Sequence, residues 1–145
     1  MTNYSTQRRK GAKAQGAEEL TDDDISRLVV DSAIEVHRTL GGPGLLESVY
    51  EEALAHELAS KGLSITRQAA LPIVYKGNRL ATDLRLDLLV EGRVIVECKA
   101  TTAFNPVFAA QVLTYLRLLD LRLGMVINSG ERLVKDGIHR VVNGL

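Results

Sequence analysis

The stretch Val94-Ile95-Val96-Glu97-Cys98-Lys99 places an acid and a lysine, two residues apart, inside an apolar run. Side chains alternate between the two faces of a β-strand, so Glu97 and Lys99 share one face and Cys98 lies on the other. Because that other face is apolar, we expect Cys98 to be a small buried core residue. The stretch therefore predicts a strand with one apolar face and one charged face.

A second alternating run, residues 84–90, precedes this strand and carries Asp87 on its polar side. Glu91-Gly92 lies between the two runs and indicates a hairpin turn. A three-residue loop would bring Asp87 onto the sheet face of Glu97 and Lys99, whereas a two-residue loop would separate the two acids. Only the three-residue loop also gathers the apolar side chains on one face, and we therefore predict it.

The expected loop covers residues 90–92, with its glycine at the positive φ of a bulged turn. This register pairs Leu88 with Val94 and Leu86 with Val96. Two carboxylates and one ammonium on a sheet face form either a solvated ion pair or a site for a hard cation such as Mg²⁺, which prefers oxygen ligands.

The rest of the chain predicts an α/β domain in the order α-α-β-β-β-α-β, with one more candidate strand at the end. Apolar residues recur at helical spacing in three segments and follow strand-like patterns in five others. The predicted helices cover residues 21–40, 45–61 and 106–120, and the predicted strands cover residues 65–75, 79–90, 93–100, 121–128 and 138–143.

Composition and charge restrict the class of protein. The chain has 145 residues, 46% hydrophobic residues, one cysteine and a net charge of zero. A single cysteine excludes an internal disulfide framework, and there is neither a bilayer-length apolar run nor a secretory segment, so we expect a cytoplasmic protein that does not enter a membrane. The sequence also lacks a phosphate-binding loop, a dinucleotide fingerprint and a serine nucleophile elbow.

The charge is unevenly distributed along the chain. The first 17 residues carry +4, which leaves 14 basic against 18 acidic side chains, or −4, for the remainder. We predict that residues 1–20 form a disordered basic tail and that residues 21–145 form one domain. A domain of this charge cannot bind nucleic acid by bulk attraction and would need local patches, bound cations or the tail.

The motif Gly44-Leu45-Leu46-Glu47-Ser48-Val49-Tyr50 reads G-x-x-E-x-x-Y at the start of the second predicted helix. With Asp87, Glu97-x-Lys99 and the later Gln111-x-x-x-Tyr115, the chain resembles the GxxExxY proteins of the PD-(D/E)XK nuclease superfamily. The resemblance covers nearly everything after residue 20, although no proline precedes Asp87. It implies an α/β fold with a small mixed sheet flanked by helices: a restriction-endonuclease-like α-β-β-β-α-β core, here with an extra N-terminal helix.

The resemblance also implies roles for individual residues. The expected metal ligands for Mg²⁺ or Mn²⁺ are Glu47, Asp87, Glu97 and the backbone carbonyl of Cys98. Lys99 would orient a water molecule or stabilise charge on the phosphate. The expected catalytic set is Glu47, Asp87, Glu97, Lys99 and Gln111, and the expected substrate-binding residues are Tyr50 and Tyr115, although Tyr50 would serve equally as a packing residue.

Two functions remain open. The first is a metal-dependent nuclease that acts on DNA or, as the weaker alternative, on RNA. The second is a non-catalytic module of the same fold that binds nucleic acid or a protein partner, including a second copy of itself. Fold alone does not decide between them.

Overall fold

Three helices and seven strands make up residues 19–144, the part of the chain that this computed structural model describes. The predicted tail lies outside the described residues, apart from residues 19 and 20. The helices are α1 (Asp22–Leu40), α2 (Glu47–Ser60) and α3 (Val107–Leu119). The strands are β1 (Ile65–Leu71), β2 (Val74–Tyr75), β3 (Asn78–Arg79), β4 (Leu84–Val90), β5 (Val94–Lys99), β6 (Leu123–Asn128) and β7 (Ile138–Val142), and a 3₁₀ turn, Val134–Gly137, precedes β7.

Five strands form one mixed sheet in the order β1-β4-β5-β6-β7. Only β5 and β6 run parallel to each other, because α3 crosses over the sheet between them. The helices α1 and α2 pack on one face with Leu88, Val96 and Cys98, whereas α3 packs on the other with Ile95 and Val126. This arrangement confirms the predicted α/β fold of restriction-endonuclease type.

The start of α1 follows from its sequence. The Thr21 hydroxyl accepts a hydrogen bond from the Asp24 backbone N–H at 3.1 Å, and the Asp24 carboxylate accepts one from the Thr21 N–H at 2.9 Å. This reciprocal capping box satisfies two backbone donors that the first helical turn would otherwise leave unpaired. The apolar stripe of α1 then packs on the sheet. None of the described helices is long and apolar enough to cross a membrane.

The predicted strand over residues 65–75 is wrong in its second half. β1 ends at Leu71, immediately before Pro72, which has no N–H to donate to a neighbouring strand. The chain then forms a separate two-stranded hairpin, in which Val74 pairs with Arg79 and Tyr75 pairs with Asn78. Residues 76 and 77, between the two predicted strands, therefore close this small hairpin rather than the β1–β4 pair.

The predicted register of β4 and β5 is also wrong, by two residues. Val90 pairs with Val94 and Leu88 pairs with Val96, so the loop covers residues 91–93. The cause is local: Glu91 and Gly92 both have positive φ angles, of 55° and 65°, and the chain turns one residue later than expected. A shift of two residues keeps each side chain of a regular strand on its predicted face.

Candidate active site

Asp87 and Glu97 contact each other's strands at the centre of the sheet. Glu97 Oε2 accepts a hydrogen bond from the Asp87 backbone N–H at 2.7 Å, and Asp87 Oδ2 accepts one from the Cys98 N–H at 2.8 Å. These two bonds continue the contact between β4 and β5 beyond the Leu88–Val96 pair. The two acids of the motif are thus held together, one on each strand.

An irregularity in β1 and β4 accompanies this contact. Leu86 packs in the α3-side core and Leu88 in the core of the opposite face, so the alternation of β4 breaks at Asp87. Across from it, Gln68 has a φ of 49°, and the β1–β4 pairing is interrupted there. A left-handed conformation at a residue other than glycine costs about 1–3 kcal/mol, and such residues cluster at functional sites.

Side-chain contacts hold Gln68 in this conformation. Its amide Nε2 donates hydrogen bonds to both oxygens of Glu51, at 2.9 and 3.1 Å, and a longer one to Asp87 Oδ1 at 3.4 Å. Arg85 donates to the Gln68 carbonyl at 3.2 Å. Gln68 therefore connects α2 to the carboxylate of Asp87.

Glu51 is a site residue that the sequence reasoning missed. Its side chain is buried, with 4% of the residue exposed, and it also accepts hydrogen bonds from Arg67 at 3.3 Å. The available signal was its spacing, since Glu51 lies one helical turn after Glu47 on the same face of α2. No feature of the sequence pointed to Gln68.

The pKa of Glu97 is raised to about 8, first by burial and then by the negative charge of Asp87. The Asp87 N–H and the positive charge of Lys99 oppose this increase. Burial also raises the pKa of Glu47, with Asp87 adding to the effect and Lys99 opposing it, and the Ala100 N–H donates to the Glu47 carboxylate. The predicted group of three acids and one lysine therefore shares one electrostatic environment at this end of β5.

The helix α3 lies near the acids and Lys99, on the sheet face opposite to α1 and α2. Lys99 Nζ lies 4.9 Å from the centre of the Phe108 ring. Tyr115 is buried, and burial followed by the charge of Glu97 raises the pKa of its hydroxyl, whereas a hydrogen bond with Gln111 lowers it. Gln111 itself is exposed. The structure thus places Tyr115 near Glu97, with the Gln111 side chain bonded to Tyr115.

Tyr50 is placed away from this group, in the core. It is 0% exposed, and its hydroxyl donates a hydrogen bond to the Ala33 carbonyl at 2.9 Å. A side chain in this position joins α2 to α1 and offers no surface to a substrate. We therefore correct the expected substrate contact of Tyr50 to the packing role that was its alternative.

Cys98 occupies the predicted core position. Its side chain is buried, and burial raises the pKa of the thiol well above its usual value. The N–H and C=O of a strand residue in an antiparallel pair leave the same side of the strand. Because the Cys98 N–H donates to Asp87, its carbonyl also faces β4 and the two acids.

The donor groups fit a hard divalent cation in type, because they are carboxylate oxygens. Within residues 19–144, no group of three or more His, Cys, Asp or Glu side chains is gathered closely enough to hold a metal ion as it stands. The Asp87 and Glu97 carboxylates are turned towards backbone N–H groups instead. Mg²⁺ usually takes one or two protein carboxylates and keeps several waters, so the half-buried Asp87 and the buried Glu97 are ligands of a suitable kind.

Comparison with known proteins agrees with this geometry. The family model of the PD-(D/E)XK nuclease superfamily matches residues 23–141, a segment that contains every residue of the candidate site. Searches of the curated proteins and of the solved structures gave no match. The match covers more than half of the chain. The chain therefore belongs to the PD-(D/E)XK nuclease superfamily.

Proposed function

We propose that this chain is a divalent-metal-dependent nuclease of the GxxExxY type that hydrolyses phosphodiester bonds in DNA. The observation that carries the proposal is the reciprocal contact of Asp87 and Glu97 across β4 and β5, with Lys99 two residues further along the strand. A packed strand pair needs no buried acids at this point. The buried Glu97 carries a desolvation cost that a bound cation would offset.

Mg²⁺ or Mn²⁺ would be held by Asp87 and Glu97, with Glu47 and the Cys98 carbonyl as further oxygen donors. The bound ion would polarise the scissile phosphate and lower the pKa of a coordinated water. The chain supplies the position of these donors: β4 and β5 fix the first two, and the start of α2 brings Glu47 to the same end of the sheet.

Lys99 is the proposed positive charge of the site. Its positive charge lowers the pKa of both Glu47 and Glu97, which supports a position near these two carboxylates. There it would orient the attacking water or stabilise the charge that develops on the phosphate oxygens. Gln111 is the exposed side chain of α3 that would contact the DNA backbone, and the buried Tyr115 would position it.

The second candidate is a non-catalytic module of the same fold. Such a module would bind nucleic acid or a protein partner, including a second copy of itself in a homodimer. The observation in its favour is that Asp87 and Glu97 are bonded to backbone N–H groups, with no closely gathered set of three ligands in residues 19–144. The charge of −4 after residue 17 also favours a narrow choice of partner. For either function, the single buried thiol supports a reducing, cytoplasmic location.

Cleavage kinetics of Lys99→Ala distinguish the two functions. With Mn²⁺ and labelled single- or double-stranded DNA, we expect the wild type to cleave and Lys99→Ala to cleave about 10²- to 10³-fold more slowly, with unchanged Mn²⁺ affinity, because a protonated lysine does not bind the metal. Lys135→Ala, an exposed lysine of the 3₁₀ turn, is the matched control. Equal rates in all three proteins would indicate a contaminating nuclease. Binding of DNA without cleavage by the wild type would favour the module.

A further inference from the structure

The β2–β3 hairpin leaves the main sheet beside the candidate active site. It connects the end of β1 to the start of β4, and these two points pair with each other as Leu71 and Leu84. Since β4 is antiparallel to β5, the start of β4 lies at the end of the sheet where β5 reaches Lys99. Leu84 precedes Asp87 by only three residues, about 10 Å along an extended strand.

The hairpin exposes an aromatic ring and carries two cations. Tyr75 is 60% exposed, whereas Tyr50 and Tyr115, the other tyrosines among the described residues, are buried. Lys76 Nζ lies 5.4 Å from the centre of the Tyr75 ring, and Arg79 is on the opposite strand of the hairpin. The Arg79 guanidinium is 3.5 Å from Asp83. Because this ion pair is open to solvent and screened by salt, it holds the Arg79 side chain only weakly.

The base of the hairpin is anchored although its tip is exposed. Ile73 packs against the α3-side core, and its carbonyl accepts a hydrogen bond from the Leu80 N–H at 2.8 Å. The Tyr75 ring is thus presented from a supported element, at low entropic cost for a ligand that contacts it. Val74, its neighbour, is 65% exposed, so two large apolar side chains of the hairpin lie in water.

We infer that this hairpin binds single-stranded nucleic acid, with an unpaired base stacked on Tyr75 and the adjoining phosphates contacted by Lys76 and Arg79. Proteins that bind single strands combine an aromatic platform with positive charges in this way, because a base offers its π-face for stacking only when it is unpaired. The cations of the hairpin complement phosphate, whereas the chain after residue 17 has a net charge of −4. The inference rests on the proposed function, since it places the strand beside Asp87 and Glu97.

Fluorescence anisotropy with a short labelled DNA strand, in the presence of a chelator so that no cleavage occurs, tests this inference. Tyr75→Ala should weaken single-strand binding by about 5- to 150-fold, the loss expected for one stacked base, while Tyr75→Phe should retain it. Arg79→Gln should reduce the salt dependence of binding. In Tyr75→Ala, the affinity for a blunt duplex of the same sequence should change much less than the affinity for the single strand.

Two control variants are matched to these changes. Val142→Ala alters a side chain of similar exposure, 61%, at the opposite end of the sheet, and Arg27→Gln removes an exposed charge from α1. Neither should change single-strand affinity. Because Tyr75 and Arg79 are exposed, thermal unfolding should show the hairpin variants to be folded like the wild type.

Unchanged single-strand affinity in Tyr75→Ala would overturn the inference, as would equal losses for single strand and duplex, or no single-strand binding by the wild type. A change in self-association of Tyr75→Ala in sedimentation, with DNA binding intact, would assign the hairpin to a protein interface instead. These outcomes test the hairpin and not the nuclease activity. If the hairpin variants bind DNA normally, the inference fails, but metal-dependent cleavage that requires Lys99 can still be observed.

Discussion

Glu97→Gln should remove most of the pH dependence of stability that this buried carboxyl group creates. Glu97 is 4% exposed and has a folded-state pKa of about 8, against a usual value of 4.5. Between these two pH values the folded protein binds a proton that the unfolded chain releases, so the free energy of unfolding falls as pH rises. At 1.36 kcal/mol for each pH unit, the full effect is on the order of 5 kcal/mol.

Urea unfolding in chelator, repeated between about pH 5 and about pH 9, measures this effect. The wild type should lose stability across that range and level off above the folded pKa of about 8. Glu97→Gln should lose much less, and should be the more stable protein at the alkaline end, because its neutral amide still has an oxygen to accept the Asp87 N–H. A smaller slope should remain, since burial also raises the pKa of Glu47.

Added Mn²⁺ provides the complementary measurement. At alkaline pH it should stabilise the wild type and have little effect on Glu97→Gln, since a ligand that binds only the folded state raises its stability. Glu52→Gln, an exposed neighbour on α2, should behave like the wild type throughout. The reasoning would be refuted if wild type and Glu97→Gln lost stability in parallel as pH rises. It would also be refuted if Glu97→Gln were strongly destabilised at every pH, because Glu97 would then be a structural ion-pair partner.

Two further substitutions separate packing from function. Tyr50→Phe should lower the free energy of unfolding by about 1–2 kcal/mol, because the buried Ala33 carbonyl loses the hydrogen bond from the Tyr50 hydroxyl. Urea unfolding measures this loss, and a cleavage assay should show an unchanged rate. A loss of cleavage in a stable protein would contradict the packing role. Glu51→Ala should lower the free energy of unfolding by about 1–3 kcal/mol and also slow cleavage, because Gln68 would lose the hydrogen bonds to Glu51 that hold it beside Asp87. Glu52→Ala is the control. An unaffected cleavage rate in Glu51→Ala would contradict the link between Glu51 and Asp87.

The fold could be predicted from the sequence because it depends on patterns with short periods. Alternation in β5 gave its two faces, and the helical spacing of apolar residues gave all three helices. The β4–β5 register was two residues off because Glu91 adopts a positive φ, which the sequence alone does not indicate for a glutamate. The faces of β5 were nevertheless right, since side-chain orientation in a strand repeats every two residues.

The site could be predicted only in part. The motif residues Asp87, Glu97 and Lys99 were identifiable from their order along the chain, but the surroundings that shape them depend on contacts distant in sequence. Leu84, Leu86 and Leu88 alternate regularly in the sequence, yet Leu86 and Leu88 lie on opposite faces. That break depends on Gln68, whose left-handed conformation is held by a carboxylate of α2 and by Arg85.

Calorimetric titration of Mn²⁺ into the wild type and into Asp87→Asn tests the proposed metal site most directly. The asparagine keeps an oxygen that can accept the Cys98 N–H, so the variant removes the charge of the ligand while leaving its backbone contact in place. Asp83→Asn makes the same chemical change outside the site. We predict that Mn²⁺ binds the wild type and Asp83→Asn alike and that Asp87→Asn loses this binding. Equal binding by all three proteins, or no binding by the wild type, would contradict the assignment of Asp87 and Glu97 as the metal site of a nuclease.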